Sequence, residues 1–185
     1  MKNLTLHTLD QLDHLVQPEE FDELSPDSPA MQLLTDFKYH RPHMMEAHMS
    51  AVEAVALMQQ ENVRVKLVVD EERECVGVVD REDLSEQRIL LNHMARGIGR
   101  NELQVRDLMQ PRHQVYALDL EDLHCALVKD LVATLQREGQ RYCLVVDHKE
   151  HLIRGLLSTA EIALRLRNPI PAPHSTKVTD MVSAR

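Results

Sequence analysis

The segment LVVD occurs twice, at Leu67–Asp70 and at Leu144–Asp147. Each copy is followed, after a short charged stretch, by a glycine, two aliphatic residues, a polar or acidic residue, and an acid three places later. The first reads GVVDRED from Gly77 to Asp83 and the second GLLSTAE from Gly155 to Glu161. A block repeated in the same order at long range makes the chain a tandem repeat, in which each unit supplies part of a shared core. Between the LVVD segments the shift is 77 residues and between the glycines 78, so the hairpin has gained a single residue.

Secondary structure follows from the spacing of apolar residues. Ser50 precedes AVEAVALMQQEN, and Ser50 with Glu53 three places on reads as a capping box that starts a helix with an apolar face of Ala51, Val52, Val55, Ala56 and Met58. Val63 to Asp70 alternates and then becomes wholly apolar, as suits a buried strand, and Val76 to Val79 is a second strand. Asp83 to Met94 reads as a helix with Leu84, Ile89, Leu90 and Met94 apolar. The second unit repeats the order: an entry at Val105 to Met109, a helix from Leu118 to Glu138 several residues longer than its counterpart, strands at Tyr142 to Asp147 and Leu152 to Leu157, and a closing helix at Thr159 to Leu166. Met31 to Phe37 reads as a short helical turn. The long helix carries apolar residues at Leu123, Ala126, Leu127, Leu131, Val132 and Leu135, and is expected to protrude or to widen an interface.

The core must be aliphatic, because the chain has no tryptophan and only three tyrosines and two phenylalanines. Residues 1–29 hold seven acids against Lys2 alone and read as an acidic arm. The expected organisation is this arm, a first repeat at 30–96, a linker at 97–102 containing GIGRN, a second repeat at 103–168, and an extended proline-rich tail at 169–185. No basic run or face stands out, which argues against a nucleic-acid partner. Nowhere do 18 apolar residues run together, which argues against a membrane span. Three cysteines at no metal-like spacing, with no apolar leader, place the chain in a reducing cytoplasm.

The repeated pattern resembles a tandem pair of cystathionine beta-synthase (CBS) domains, the unit called a Bateman module. The residues that carry the likeness are SAVEAVALM from Ser50, the two LVVD strands, the two glycine-headed strands, and VRDLMQP from Val105 to Pro111. The resemblance implies an α/β (α+β) fold in which each repeat is a small β-sheet packed with two helices, the repeats related by a pseudo-twofold axis. It implies two clefts for adenosine-containing molecules such as AMP, ADP, ATP or S-adenosylmethionine, with no cofactor required. It also implies a homodimer and a regulatory, non-enzymatic role toward a protein partner.

The site residues have a physical logic of their own. Gly77 and Gly155 let a ligand approach the backbone, a hydroxyl before helix amides accepts a phosphate, an acid one turn later holds ribose hydroxyls, and strand residues such as Tyr142, Leu144 and Val146 flank a base. The two copies differ. Ser158 keeps the hydroxyl and Glu161 the acid, so the second half-site is chemically competent. In the first copy Asp83 keeps the acid but Asp80 replaces the hydroxyl. A carboxylate about 4 Å from a phosphate costs about 4 kcal/mol per unit charge at an effective dielectric near 20. Asp80 is equally suited to capping, with its carboxylate on the amide of Glu82 or Asp83. Arg112, His113, Arg141 and Tyr142 are expected near the mouth of the second cleft, facing phosphate or base, or else simply solvated.

Two other readings stand beside this one. The clefts have decayed and the chain is an interaction protein working through its arm, long helix and tail. Or His40, His43 and His48, with Met44, Met45 and Met49, form a soft metal site.

Overall fold

The computed structural model describes residues 24–97 and 99–166; the expected tail at 169–185 and most of the acidic arm lie outside the described residues. A 3-10 turn at Ala30–Leu33 leads into β1 (Thr35–Asp36), then β2 (Met44–Glu46), α1 (Ala51–Gln60), β3 (Val65–Val69), β4 (Cys75–Asp80) and α2 (Glu86–Arg96). The chain continues through α3 (Val105–Leu108), β5 (Gln110–Pro111), β6 (Ala117–Asp119), α4 (Leu120–Cys125), α5 (Val128–Arg137), β7 (Tyr142–Asp147), β8 (Leu152–Ser158) and α6 (Thr159–Arg165). This is the expected mixed architecture, with two four-stranded sheets ordered β2-β3-β4-β5 and β1-β8-β7-β6.

Each sheet borrows its last strand from the other repeat's approach. β1 lies at the start of the first repeat yet pairs antiparallel with β8 of the second, Thr35 opposite Leu156 and Asp36 opposite Gly155. β5 lies near the start of the second repeat yet pairs with β4 of the first, Gly77 opposite Pro111. The crossovers are bonded alike. Ala51 donates to the Leu103 carbonyl at 2.8 Å and Val105 to that of Met49 at 2.9 Å, while Ala30 donates to Ala126 and Val128 to Ser28, each at 2.9 Å. Both glycines mark these crossings. A Cβ on Gly77 would stand 2.5 Å from the Gln110 carbonyl oxygen, and one on Gly155 would stand 2.6 Å from both the Thr35 carbonyl oxygen and Leu34 Cδ1. The space that only glycine leaves open is filled by the crossing strand.

Three apolar layers result. Val65, Leu67, Val78, Tyr142 and Leu144 meet between the sheets, which is why β3 is buried on both faces. Met45, Ala51, Ala54, Met58, Val68, Val79 and Ile89 fill the helix side of the first sheet. Leu33, Leu123, Val128, Leu131, Leu135, Cys143, Val145, Leu157 and Ile162 fill that of the second.

Several expectations are corrected. The helix expected from Leu118 to Glu138 is three elements: β6, α4 and α5. Asp119 ends the strand and caps α4, its carboxylate accepting from the Glu121 amide at 2.8 Å. Ala126 and Leu127 are extended because they pair with the incoming segment at Ser28–Ala30. Apolar periodicity runs through this break unchanged, so the sequence hides it. α1 and α5 have ten residues each. α5 begins 77 residues after α1 but β6 only 73 after β2, and the six-residue α4 lies in the connection that is four residues longer. The buried face of α1 is Ala51, Ala54 and Met58, with Val52 and Ala56 exposed. Ser50 accepts from the Glu53 amide at 3.4 Å, one half of the capping box. On α2, Leu90 and Met94 face solvent while Ile89 is buried. Met31 to Phe37 divides into the 3-10 turn and β1.

Candidate functional site

The strand ends β4 and β8, each leading to a helix, carry the paired motifs. In the first copy Asp80 and Asp83 are buried, at 4% and 6% exposure. They tie the turn together: the Glu82 amide donates to Asp80 Oδ1 at 2.8 Å, and the Asp80 amide donates to Asp83 Oδ2 at 3.0 Å. The Asp80 carboxylate thus caps a turn, while α2 itself starts only at Glu86. From the second repeat, Arg141 enters this turn. Its Nη1 lies 2.5 Å from Glu82 Oε2 and 3.6 Å from Asp80 Oδ1, and its Nη2 lies 3.2 Å from Asp83 Oδ1. Arg88 Nη2 approaches Asp83 Oδ1 at 4.0 Å. Burial pushes the Asp80 carboxyl above its ordinary value, opposed by the Glu82 amide and Arg141 and reinforced by the neighbouring Asp83 and Glu82 charges.

Arg141, expected beside the second cleft, is therefore held in the first. Its backbone is fixed from behind: the Thr159 amide and Oγ1 both donate to its carbonyl at 2.9 Å. Tyr142, next in the chain, lies between the sheets, and its hydroxyl donates to Gln110 Oε1 at 2.7 Å. Desolvation drives that phenol far above its ordinary value, so it remains a donor. Leu144 shares the same layer and Val146 is half-buried. Arg112 Nη1 reaches the Cys75 carbonyl of the first sheet at 3.4 Å, and the His113 ring meets the Gln114 amide group at 3.3 Å.

In the second copy Ser158 is half-buried and its side chain makes no capping bond. Glu161 Oε2 accepts from Thr35 Oγ1 at 3.4 Å, and Oε1 pairs with Arg165 at 3.1 Å. The pseudo-twofold counterpart of Arg141 is Arg64. Val65 lies opposite Asp80 as Tyr142 lies opposite Ser158, and the Arg64 carbonyl accepts from the Arg81 amide as that of Arg141 does from Thr159. Arg64 is exposed, and its side chain has no ion pair among the described residues. The acids that hold Arg141 are replaced here by Ser158 and Ala160 in place of Asp80 and Glu82, with Glu161 in place of Asp83. Sequence reasoning missed Arg64 and Thr35; the signal for Arg64 was the 77-residue repeat shift applied to Arg141.

The histidine and methionine cluster does not assemble. His40 Nδ1 lies against the Asp36 carbonyl, His43 pairs with Glu61 and His48 with Glu46. Met45 is core. Among the described residues no group of three His, Cys, Asp or Glu side chains is placed to hold a metal ion. A trough of about 750 Å³ follows the free edge of β2 past Arg41, His43, Glu61, Lys66 and Arg73, and none of Asp80, Asp83, Ser158 or Glu161 lines it. Among the described residues no helix is long and apolar enough to cross a membrane.

The CBS domain family model matches residues 25–89, the first copy. No curated protein matches the sequence significantly. Solved structures resemble nearly the whole described chain. An uncharacterised conserved protein from Pyrococcus horikoshii is 14% identical with a TM-score of 0.57, covering 79% of this chain and 97% of its own. CBSX2 in complex with AMP is 21% identical with a TM-score of 0.54, covering 76% and 99%. The CBS domain protein TA0289 from Thermoplasma acidophilum is 17% identical with a TM-score of 0.51, covering 71% and 68%. With residues 25–89 matching the CBS domain model, the same crossover built into both copies, and likeness to CBS structures along both, the chain has the fold of a tandem CBS pair.

Proposed function

We propose that this protein is a non-enzymatic regulatory module that binds one adenine nucleotide in its second cleft. The observation that carries the reading is the contrast between two equivalent arginines: Arg141 is consumed by three acids, whereas Arg64 is exposed and has no ion pair among the described residues, and the second copy's motif has lost two of those acids. A free guanidinium suits a phosphate, the Ser158 hydroxyl adds a donor, and Glu161 with Thr35 suits a ribose diol. The Glu161–Arg165 pair is exposed on both sides and weak enough to exchange for a ligand. The AMP complex of CBSX2 agrees with this ligand class. ADP, ATP and S-adenosylmethionine are the competitors, and the phosphate contact ranks the nucleotides above S-adenosylmethionine.

Ligand at the second cleft would act on a protein partner by favouring one packing of the module, in a cytoplasmic homodimer joined through α2. Isothermal titration with AMP tests the reading. Wild type should bind, and Ser158→Asp, which copies the first cleft's acid into the second, should weaken binding more than tenfold. Absence of heat and of thermal stabilisation with all four compounds would overturn it and favour an interaction protein with decayed clefts, a reading that the occupied first cleft also supports.

A further inference from the structure

We infer that Arg141 is the built-in occupant of the first cleft, closing it to ligand and locking the two repeats together. The half of this inference that concerns stoichiometry rests on nucleotide binding at the second cleft; the lock itself does not.

The acid best placed for a ribose, Asp83, already has both oxygens in hydrogen bonds. Oδ1 is held by Arg141 Nη2 and Oδ2 by the Asp80 amide. Asp80 Oδ1 is likewise committed to the Glu82 amide. An incoming diol would have to break a guanidinium contact made in a buried turn, where an unpaired charge is costly. An incoming phosphate would meet three carboxylates against Arg141, with Arg88 farther off. Both classes of contact that a nucleotide needs are thus refused.

Arg141 is not a side chain that has drifted into place. Two donors from Thr159 fix its carbonyl, and the Tyr142 hydroxyl is bonded to Gln110 on the strand borrowed by the first sheet. The contact joins opposite repeats, since Arg141 leads β7 while the acids follow β4. The twofold counterpart supplies the control. Arg64 has the same backbone setting, the residues that correspond to Asp80 and Glu82 in the second copy are Ser158 and Ala160, and Arg64 forms no such pair among the described residues. Between the copies two of the three acids are lost, and the third changes from Asp83 to Glu161.

A double-mutant cycle on the full chain tests the lock without ligand. Arg141→Ala, Glu82→Gln/Asp83→Asn, and their combination are compared by urea unfolding at low and high salt. The expected coupling is about tenfold in the unfolding equilibrium constant, since these groups touch. AMP titration then compares wild type with Asp80→Ser/Glu82→Ala, which gives the first copy the second copy's residues at these two positions and leaves Arg141 only Asp83 to pair with. One equivalent should bind to wild type and two to the variant.

No coupling in the cycle, or two equivalents on wild type, overturns the inference. A variant that stays at one equivalent overturns the claim that these acids exclude the ligand. If coupling is found while neither protein binds AMP, the lock stands and nucleotide binding at the second cleft is what fails.

Discussion

Arg154 on β8 grips Asp36 on β1 with both ends of its guanidinium: Nε donates to Oδ1 at 2.7 Å and Nη2 to Oδ2 at 2.9 Å. β1 is only two residues long, so its place in the second sheet depends on this fork as well as on the ladder. The bond to Arg154 holds the Asp36 carboxyl below its ordinary value, outweighing its partial burial, with the Lys38 amide adding to the effect. A depressed carboxylate stabilises the fold above its unfolded value, and that contribution is lost as pH falls through the folded value. Asp36→Asn should lower Tm by about 3 °C at pH 7, and the gap from wild type should close below the acid range. An equal Tm at pH 7 would show that the fork contributes nothing.

The glycines give a second prediction, of opposite character. If Gly77 and Gly155 served only to admit a ligand, alanine there would spare stability and hurt binding. With backbone oxygens 2.5 and 2.6 Å from the added carbon, alanine must displace a crossing strand. Each of Gly77→Ala and Gly155→Ala should cost about 1–3 kcal/mol in urea unfolding without any ligand present. Two variants as stable as wild type would return the glycines to a ligand role.

These contrasts mark where the sequence is legible. β3, β4, β7 and β8 stand out because each is a dense apolar run bounded by charge, and α1, α5 and α6 follow from periodicity and turn residues. β1, β2, β5 and β6 do not, since strands of two or three residues have no period and their partners lie far along the chain. Met44 and Met45 illustrate the difficulty: among histidines they suggested soft ligands, yet Met45 packs under β3. The two motifs were readable residue by residue, but Arg141 was assigned to its own repeat's cleft. Only the crossing of the repeats carries its side chain to the other one.

Asp80 is expected to behave oppositely to Asp36. Its folded carboxyl value is raised, chiefly by desolvation, so its ionised form is a burden whose cost appears as pH rises through that value. Asparagine keeps an oxygen for the Glu82 amide and removes the charge. The attraction to Arg141, 3.6 Å away, is lost with the charge, but desolvation together with the neighbouring Asp83 and Glu82 charges outweighs it. Asp80→Asn should raise Tm at pH 7, with the gain fading below the ordinary carboxylate range. A lower Tm at pH 7 would mean that attraction to Arg141 outweighs desolvation.

The cysteines should differ sharply in reactivity. Cys143 is buried under the second sheet, and burial pushes its thiol up to about 12. Cys75 is half-buried and also raised by desolvation, while Cys125 at the end of α4 is exposed. Since the thiolate is the reacting form, an aromatic disulfide reagent at pH 8 should titrate a single thiol rapidly in native protein and three after denaturation. Cys125→Ser should remove the fast phase; a fast phase that persists would contradict the burial of the other two.

The proposed homodimer is testable at α2. Leu90 is 56% exposed and Met94 70%, and they lie one helical turn apart beside the similarly exposed Leu91, while Ile89 anchors the other face in the core. The second repeat's closing helix presents Leu164 at 78% exposure. Large aliphatic side chains left in water on the helices that follow both β-hairpins fit an isologous contact between two copies, in which each apolar stripe meets its own symmetry mate. Leu90→Glu/Met94→Glu should leave Tm nearly unchanged at dilute concentration, because neither residue supports the monomer core, yet halve the mass measured by light scattering. A wild type that is monomeric at high micromolar concentration, or a variant that remains dimeric, would place the interface elsewhere.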